Sequence, residues 1–231
     1  MTTADRTLVL DTETCNLTKT EKVQPGNNLA YDIGFQIVEP STCSVLVKRS
    51  YVVKEIFCGE RDRMASAYYA NKLPQYYDGL ANSTKKLAGL CDVLAEIARM
   101  CKEYNVKAIV AHNARFDVDA LNTTLNYLYG WDFVRALPQD VEIWDTMKMW
   151  RAVMPKSYAK FCEENGFMTK HAKPQPQMKA ETIYRFLTGN VDFEEEHTGL
   201  ADVEIETEIM LACYRTHKKL ADARVLYHCK K

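Results

Sequence analysis

The chain has 231 residues, 47% of them hydrophobic, which predicts one globular domain spanning residues 1–231. Lysine and arginine number 30 against 31 acidic residues, and this net charge of −1 excludes nucleic-acid binding through overall positive charge alone. The 8 cysteines include no C-x-x-C pair, and no apolar run is long enough to span a membrane, so we expect a cytoplasmic protein without zinc cluster, disulfide framework or membrane partner.

The predicted elements begin with strands and then alternate between strand and helix. The predicted strands cover residues 7–10, 30–38, 44–53, 107–110 and 141–143. After short helices and loop at 61–77, the predicted helices cover residues 83–104 (N-cap Ser83), 114 onward, 146–153 (N-cap Asp145), 156–165, 179–187 and 200–220. This order predicts an α/β fold with a mixed five-stranded sheet flanked by α-helices.

Two carboxylates, Asp11 and Glu13, follow the first apolar run in "LVLDTETCNL". Residues two apart on a strand point to the same side, so the pair would meet at the end of the strand. Like charges there repel and raise a pKa unless something positive neutralises them. The alternative is an ordinary turn with both carboxylates in water.

A second acidic element, "AHNARFD" at residues 111–117, follows the fourth predicted strand. Asn113 and Asp117 are four apart and would share one face of a helix. Ligands collect at the carboxyl ends of strands in open α/β sheets, so Asp117 could reach the same rim as Asp11. The alternative is an aspartate that only stabilises the start of a helix.

The third element, "EEEHTGLADVEIE", places His197 five residues before Asp202 at the start of the last long helix. Taken singly, His197 could be an exposed loop histidine and Asp202 a helix-start acid. The set is more specific, because all three elements fall in order at strand and helix junctions.

These motifs resemble the DEDD superfamily of 3′→5′ exonucleases, in the DEDDh (DnaQ-like) branch, and in particular its phage and bacterial members. Asp11 and Glu13 match the first motif, Asp117 the second and Asp202 the third, while His197 marks the histidine branch. The resemblance runs from Thr7 to about Cys213 and implies a ribonuclease-H-like fold.

The resemblance also implies a reaction. A metal-dependent 3′→5′ exonuclease hydrolyses phosphodiester bonds from the 3′ end and releases nucleoside 5′-monophosphates. Asp11, Glu13, Asp117 and Asp202 would hold two divalent cations, Mg²⁺ or Mn²⁺, and His197 would be the general base. The metal ions would supply the positive charge that the chain lacks.

Substrate contacts follow from the same resemblance. Thr12, Thr14, Asn113 and Phe116 match positions near the 3′-terminal nucleotide, although Phe116 equally suits the core and Asn113 the strand–helix turn. Relatives differ at Cys15 and Asn16, where we expect a turn with positive φ at the asparagine and an effect of the cysteine on substrate grip. Gly199 stands where relatives often have alanine, which predicts a more mobile His197 loop.

Three further features of the sequence are less specific, and the first two have both a functional and a structural interpretation. Lys170, His171, Lys173 and Lys179 could guide a phosphate backbone or form a solvated loop. Tyr68, Tyr69, Tyr76 and Tyr77 could stack on bases or pack against the core. Glu194–Glu196 is predicted to be solvated, with Glu196 raising the pKa of His197.

The resemblance implies a nucleic-acid 3′ end as the partner, with single-stranded DNA favoured and RNA possible. Two alternatives remain: a proofreading subunit with a replication partner, and a non-enzymatic nucleic-acid-binding module. An Asp-nucleophile phosphatase is disfavoured, because Glu13 occupies the third position of its D-x-D-x-T motif.

Overall fold

A computed structural model describes residues 6–17, 26–68, 70–130, 134–216 and 224–225. Within these ranges the chain forms one mixed sheet in the order β4-β3-β2-β1-β5-β6-β7. The strands are β1 (Thr7–Asn16), β2 (Asn28–Glu39), β3 (Ser44–Val53), β4 (Lys86–Ala88), β5 (Ala108–Ala111), β6 (Glu142–Asp145) and β7 (Arg224–Val225). The predicted class is confirmed, and the predicted count of five is extended to seven by the short strands β4 and β7 at the two edges.

The three long strands pair antiparallel in the order β1, β2, β3, as the hairpin pattern predicted. On the other side of β1, β5 and β6 continue the sheet in parallel. The helices are α1 (Lys54–Phe57), α2 (Arg61–Ala65), α3 (Leu73–Ala81), α4 (Leu90–Glu103), α5 (Arg115–Tyr129), α6 (Thr146–Val153), α7 (Lys156–Glu164), α8 (Ala180–Thr188) and α9 (Gly199–Thr216), with a 3₁₀ turn at Ala70–Lys72. The predicted last four residues of α9 lie outside the described ranges.

Both faces of the sheet are buried. Leu8 and Leu10 pack on one face with Leu94 of α4 and Leu121 of α5. Val9 points to the opposite face, where α6 to α9 pack. A strand covered on both faces reads as a continuous apolar run, which is why "LVL" precedes Asp11.

The helix predicted from Ser83 is wrong at its start. Ser83 has a positive φ of 64° and no capping role, residues 86–88 form β4, and α4 begins at Leu90 after an extended Gly89. Leu87 happens to fall at helical spacing with the true α4 residues, and periodicity cannot separate a three-residue strand from the helix that follows it. Asp145, by contrast, caps α6 as predicted, because its side chain accepts a hydrogen bond from Met147 N.

Two expectations from composition can be compared with the described residues. All seven cysteines within the described ranges are free thiols, so no disulfide forms among them. Within the same ranges, no helix has both the length and the apolarity to cross a lipid bilayer.

Candidate active site

Asp11 and Glu13 lie where β1 loses one neighbour. β5 pairs with β1 only at residues 7–9, whereas β1 stays paired with β2 as far as Asn16. The predicted end of the strand at Asp11 is therefore wrong, but the two carboxylates do share a face, the one that α9 covers. The gap beside β1 opens a rim that both side chains reach.

Asp117 is brought to this rim by the turn between β5 and α5. It lies in the first turn of α5 and is only 2% exposed. Its Oδ1 accepts hydrogen bonds from Thr12 N at 3.0 Å and from Thr12 Oγ1 at 2.9 Å. The Thr12 hydroxyl thus holds Asp117 in place, a role that its predicted placement beside the substrate did not include.

Asn113 does not share a helical face with Asp117, contrary to the prediction. It precedes α5, with a left-handed φ of 61°, and its backbone N–H donates to Asp145 Oδ1 at 3.1 Å. Asp145 therefore links this turn to the start of α6. Asn113 is exposed and is not among the described residues that line the cleft.

Asp202 and His197 approach from the start of α9. Ligand atoms of Glu13, His197 and Asp202 all lie within 4.8 Å of one another. The Glu13 and Asp202 carboxyls also share a hydrogen bond. Residues 189 positions apart in the sequence thus meet at one point.

The electrostatics of this cluster are strongly unfavourable for bare carboxylates. Burial first, and then the charges of Asp202 and Asp32, raise the pKa of Glu13 to about 9. Burial, followed by the neighbouring acids, also raises the pKa of Asp11 well above its usual range. Mutual repulsion of this kind is relieved by protons or by cations.

Two buried oxygens of the cluster, Asp11 Oδ2 and Asp202 Oδ1, have no hydrogen-bond partner among the residues that the structure describes. Buried carboxylate oxygens normally have partners, and hard divalent cations prefer such oxygens as ligands. The residues present therefore fit a divalent cation. Asp11 and Asp117 are neighbours of this cluster, but they are not among the three residues whose ligand atoms all lie within 4.8 Å of one another.

Glu206 is a fifth acid that the sequence analysis missed. It is 3% exposed and accepts a hydrogen bond from His112 N at 3.1 Å. Burial, then the charges of Asp117 and Asp202, raise its pKa well above the usual value. The available signal was its position four residues after Asp202, which puts both side chains on one face of α9.

His197 lies in a mixed environment. Burial, then Lys72 and Lys179, lower its pKa, while Glu181 opposes them. The prediction that Glu196 raises this pKa is wrong: Glu196 is exposed, and the carboxylate that turns inward is Glu195, 3.8 Å from His197 Nδ1.

A cleft of about 250 Å³ opens above these groups. Its lining residues are Asp11, Thr12, Glu13, Thr14, Asn16, Tyr68, Phe116 and His197. Phe116 is 40% exposed and Tyr68 is 85% exposed, so neither is a core residue. Tyr76, by contrast, is fully buried, and Tyr69 lies outside the described residues.

The region after Glu13 departs from expectation. Asn16 belongs to β1 rather than to a turn with positive φ, and it lines the cleft. Cys15 is 1% exposed and packs in the core, where burial raises the pKa of its thiol to about 11. Direct contact between Cys15 and a substrate is therefore excluded in this conformation.

The segment from Lys170 to Lys179 forms a hairpin-like loop. Met168 and Pro176 form a β-bridge, and His112 Nε2 lies 2.6 Å from Met178 O at the base of the loop. Lys170, His171 and Lys173 are exposed at the tip, whereas Lys179 is close enough to influence His197. The tip is therefore a solvated loop, which was one of the two interpretations of this segment.

Comparison with solved structures shows that 3′-exonucleases have a similar fold. The chain matches a full-length 3′-exonuclease with a TM-score of 0.56 and 13% identity, over 97% of this chain and 91% of that one. It matches the nuclease domain of 3′hExo, a DEDDh family member bound to rAMP, with a TM-score of 0.54 and 14% identity over 94% of each chain.

A third match is Escherichia coli exonuclease I in complex with a 5cy-dT13 oligonucleotide, with a TM-score of 0.50 and 14% identity. That match covers 94% of this chain and 42% of the other. No protein-family model and no curated protein matches the chain. At these identities the likeness establishes the fold, which is that of DEDDh-type 3′-exonucleases.

Proposed function

We propose that the protein is a 3′→5′ exonuclease that hydrolyses single-stranded nucleic acid, with single-stranded DNA favoured and RNA possible. The observation that carries this proposal is the meeting of Glu13, His197 and Asp202 within 4.8 Å. It occurs at the rim of a sheet shared with solved 3′-exonucleases. The non-enzymatic alternative is disfavoured, because it leaves the buried, unfavourable acid cluster without a purpose.

Asp11, Glu13, Asp117 and Asp202 are the proposed ligands of two divalent cations, Mg²⁺ or Mn²⁺. The two unpartnered buried oxygens and the raised pKa values of the acids support this assignment. When bound, such ions offset the negative charge of carboxylates and phosphate and make water easier to deprotonate. Thr12 holds Asp117 in place, and Glu206 lies close enough to Asp117 and Asp202 for their charges to raise its pKa.

His197 is the proposed general base. Burial and the nearby Lys72 and Lys179 lower the pKa of His197 and so favour the neutral imidazole. A neutral imidazole has one unprotonated ring nitrogen, which can accept a proton from the attacking water. The exposed Lys179 could also bind a phosphate of the bound strand.

The cleft is the proposed seat of the 3′-terminal nucleotide. Phe116 and Tyr68 present exposed aromatic rings on which bases could stack. Thr14 and Asn16 supply polar groups in the same cleft, while Thr12 acts through Asp117. Asn113, in its exposed turn, stays a proposed contact of the substrate.

The test is to follow 5′-labelled and 3′-labelled single strands of DNA and RNA, with Mg²⁺ or Mn²⁺ and with a chelator. We expect a stepwise ladder from the 5′ label, release of mononucleotide from the 3′ label, and no reaction with the chelator. Internal cleavage, or activity that persists without metal, would contradict the proposal.

Two variants locate the chemistry. Asp202→Asn should lose turnover, whereas Glu208→Gln, which changes an exposed acid on the same helix, should keep it. Equal loss in both variants would mean that the reaction does not depend on the proposed site.

A further inference from the structure

The segment that carries His197 into the cleft is held in an uncommon conformation. His197 has a left-handed backbone φ of 54°, which residues other than glycine rarely keep unless surrounding contacts impose it. Two residues later, α9 begins at Gly199. Whatever fixes Gly199 therefore helps to decide where the imidazole lies.

Asp32 of β2 supplies a polar anchor for this segment. Its side chain is completely buried, and it stands directly opposite Glu13 in the sheet. Asp32 Oδ2 accepts a hydrogen bond from Gly199 N at 2.9 Å. This contact crosses from the sheet to the helix that carries Asp202.

The same oxygen has two further donors. Tyr76 OH donates to Asp32 Oδ2 at 2.8 Å and Lys85 Nζ at 3.1 Å. The Lys85 side chain is only 10% exposed, so this is a buried ion pair. Three donors, Gly199 N, Tyr76 OH and Lys85 Nζ, therefore converge on one buried oxygen of Asp32 and fix its position.

A backbone contact holds Gly199 from the other side. A Cβ added at Gly34 would lie 2.1 Å from the Gly199 carbonyl carbon, and one added at Gly199 would lie 2.6 Å from Gly34 N. Gly34 and Asp32 are two apart on β2 and therefore share the face that meets α9. This contact corrects the expectation that Gly199 makes the loop mobile: glycine is required there for close packing.

We propose that Asp32, through its hydrogen bond with Gly199 N, is a positioning residue for His197. The inference rests on the proposed function, since it assumes that His197 acts on the substrate. Neither Asp32 nor Lys85 is among the described residues that line the cleft. Their effect on catalysis should therefore pass through the loop of residues 197–199 and not through substrate contact.

The experiment compares two triple variants that differ in one group. Both carry Tyr76→Phe and Lys85→Met, which remove the other two donors to Asp32 and the buried positive charge. One adds Asp32→Asn, which keeps an oxygen acceptor for Gly199 N, and the other adds Asp32→Leu, which removes it.

We expect the leucine version to have a kcat roughly ten- to a hundredfold below that of the asparagine version, because small displacements of a catalytic group cost rate steeply. KM should agree within about twofold, since the substrate cleft is untouched. When His197→Ala is added to both versions, the difference in kcat should vanish, because Asp32 then has no base to position. A difference that persists without His197 would overturn the proposal.

Amide hydrogen exchange at Gly199 provides a readout that does not depend on activity. The Gly199 amide should exchange at least about tenfold faster in the leucine version, because it has lost its acceptor. Equal kcat and equal exchange in both versions would overturn the inference while leaving the proposed function intact. An inactive wild-type chain would overturn the proposed function instead, and the exchange rates would still decide whether Asp32 holds the loop.

Discussion

At the scale of single residues, the protonation of His197 depends on two nearby lysines, Lys72 and Lys179. Burial removes water from the imidazolium, and Lys72 and Lys179 repel it, so the neutral base is favoured. Lys72 ends the 3₁₀ turn before α3, far from His197 in sequence. The sequence offered no signal for this pairing, because it depends on how the segment between β3 and β4 folds over the cleft.

Replacing Lys72 by glutamine should raise the pKa of His197, since one repelling charge is lost. The acid limb of the kcat/KM profile, which reports the free enzyme, should then move to higher pH. The control is Lys102→Gln, at an exposed position near the end of α4. An unchanged acid limb in the Lys72 variant would remove either Lys72 or His197 from this account.

The hydrogen bond from the Thr12 hydroxyl to Asp117 can be tested by substitutions that remove or keep the hydroxyl group. Thr12→Val keeps the shape but removes the 2.9 Å hydrogen bond to Asp117. Hydrogen bonds to charged groups contribute about 1.5–3 kcal/mol, so we expect Mn²⁺ affinity and kcat/KM to fall by roughly tenfold or more. Thr12→Ser, which keeps the hydroxyl, should retain both; a valine variant with full affinity would contradict the role assigned to Thr12.

At the scale of elements, the contact between β2 and α9 sets the distance between the acids of the sheet, Asp11 and Glu13, and Asp202 at the start of α9. Asp32, Gly34 and Gln36 face α9 from alternate positions of β2, and Gln36 bonds to Thr207. Sequence patterns located both elements, because each is long and apolar. They could not show that the elements touch at a pair of glycines, since that contact depends on tertiary packing.

Gly34→Ala should therefore be strongly destabilising and should lower activity, because the new methyl group would overlap the Gly199 backbone. Gly130→Ala is the matched control: it has a φ of 68° but open space around it, so we expect a cost of only about 1 kcal/mol. Chemical denaturation measures both. Equal costs would show that the close approach of β2 and α9 is not required.

At the scale of the whole molecule, the acids of the site tie stability to pH and to metal. Burial, as the main cause, raises the pKa of Glu13 to about 9 and that of Asp117 and Asp202 to about 7. Between the ordinary pKa values near 4 and these raised values, the folded protein binds more protons than the unfolded chain. The free energy of unfolding without metal must then fall as pH rises through this window.

Thermal unfolding should reflect this linkage. With chelator, Tm should be lower at about pH 8.5 than at about pH 5.5, and Mg²⁺ or Mn²⁺ should raise Tm by at least roughly 5 °C at the higher pH but much less at the lower. A metal effect that is the same at both pH values would mean that the ions do not bind these carboxylates.

Much of the molecule could be predicted from sequence. Apolar periodicity predicted the five longer strands and the α/β class, whereas the ribonuclease-H-like fold was implied by the resemblance of the three motifs to a known family. Glu206, the roles of Asp32 and Lys85, and the exposure of Phe116 did not, because each depends on which residues face one another after folding. The single domain, the cytoplasmic setting and a replication partner stay predictions.

The proposed function requires above all that hydrolysis starts from a free strand end. The most direct measurement compares a circular single-stranded DNA with the same strand in linear form, in the presence of Mn²⁺. We predict that the linear strand is degraded to mononucleotides while the circle survives intact. Cleavage of the circle at a comparable rate would contradict the account.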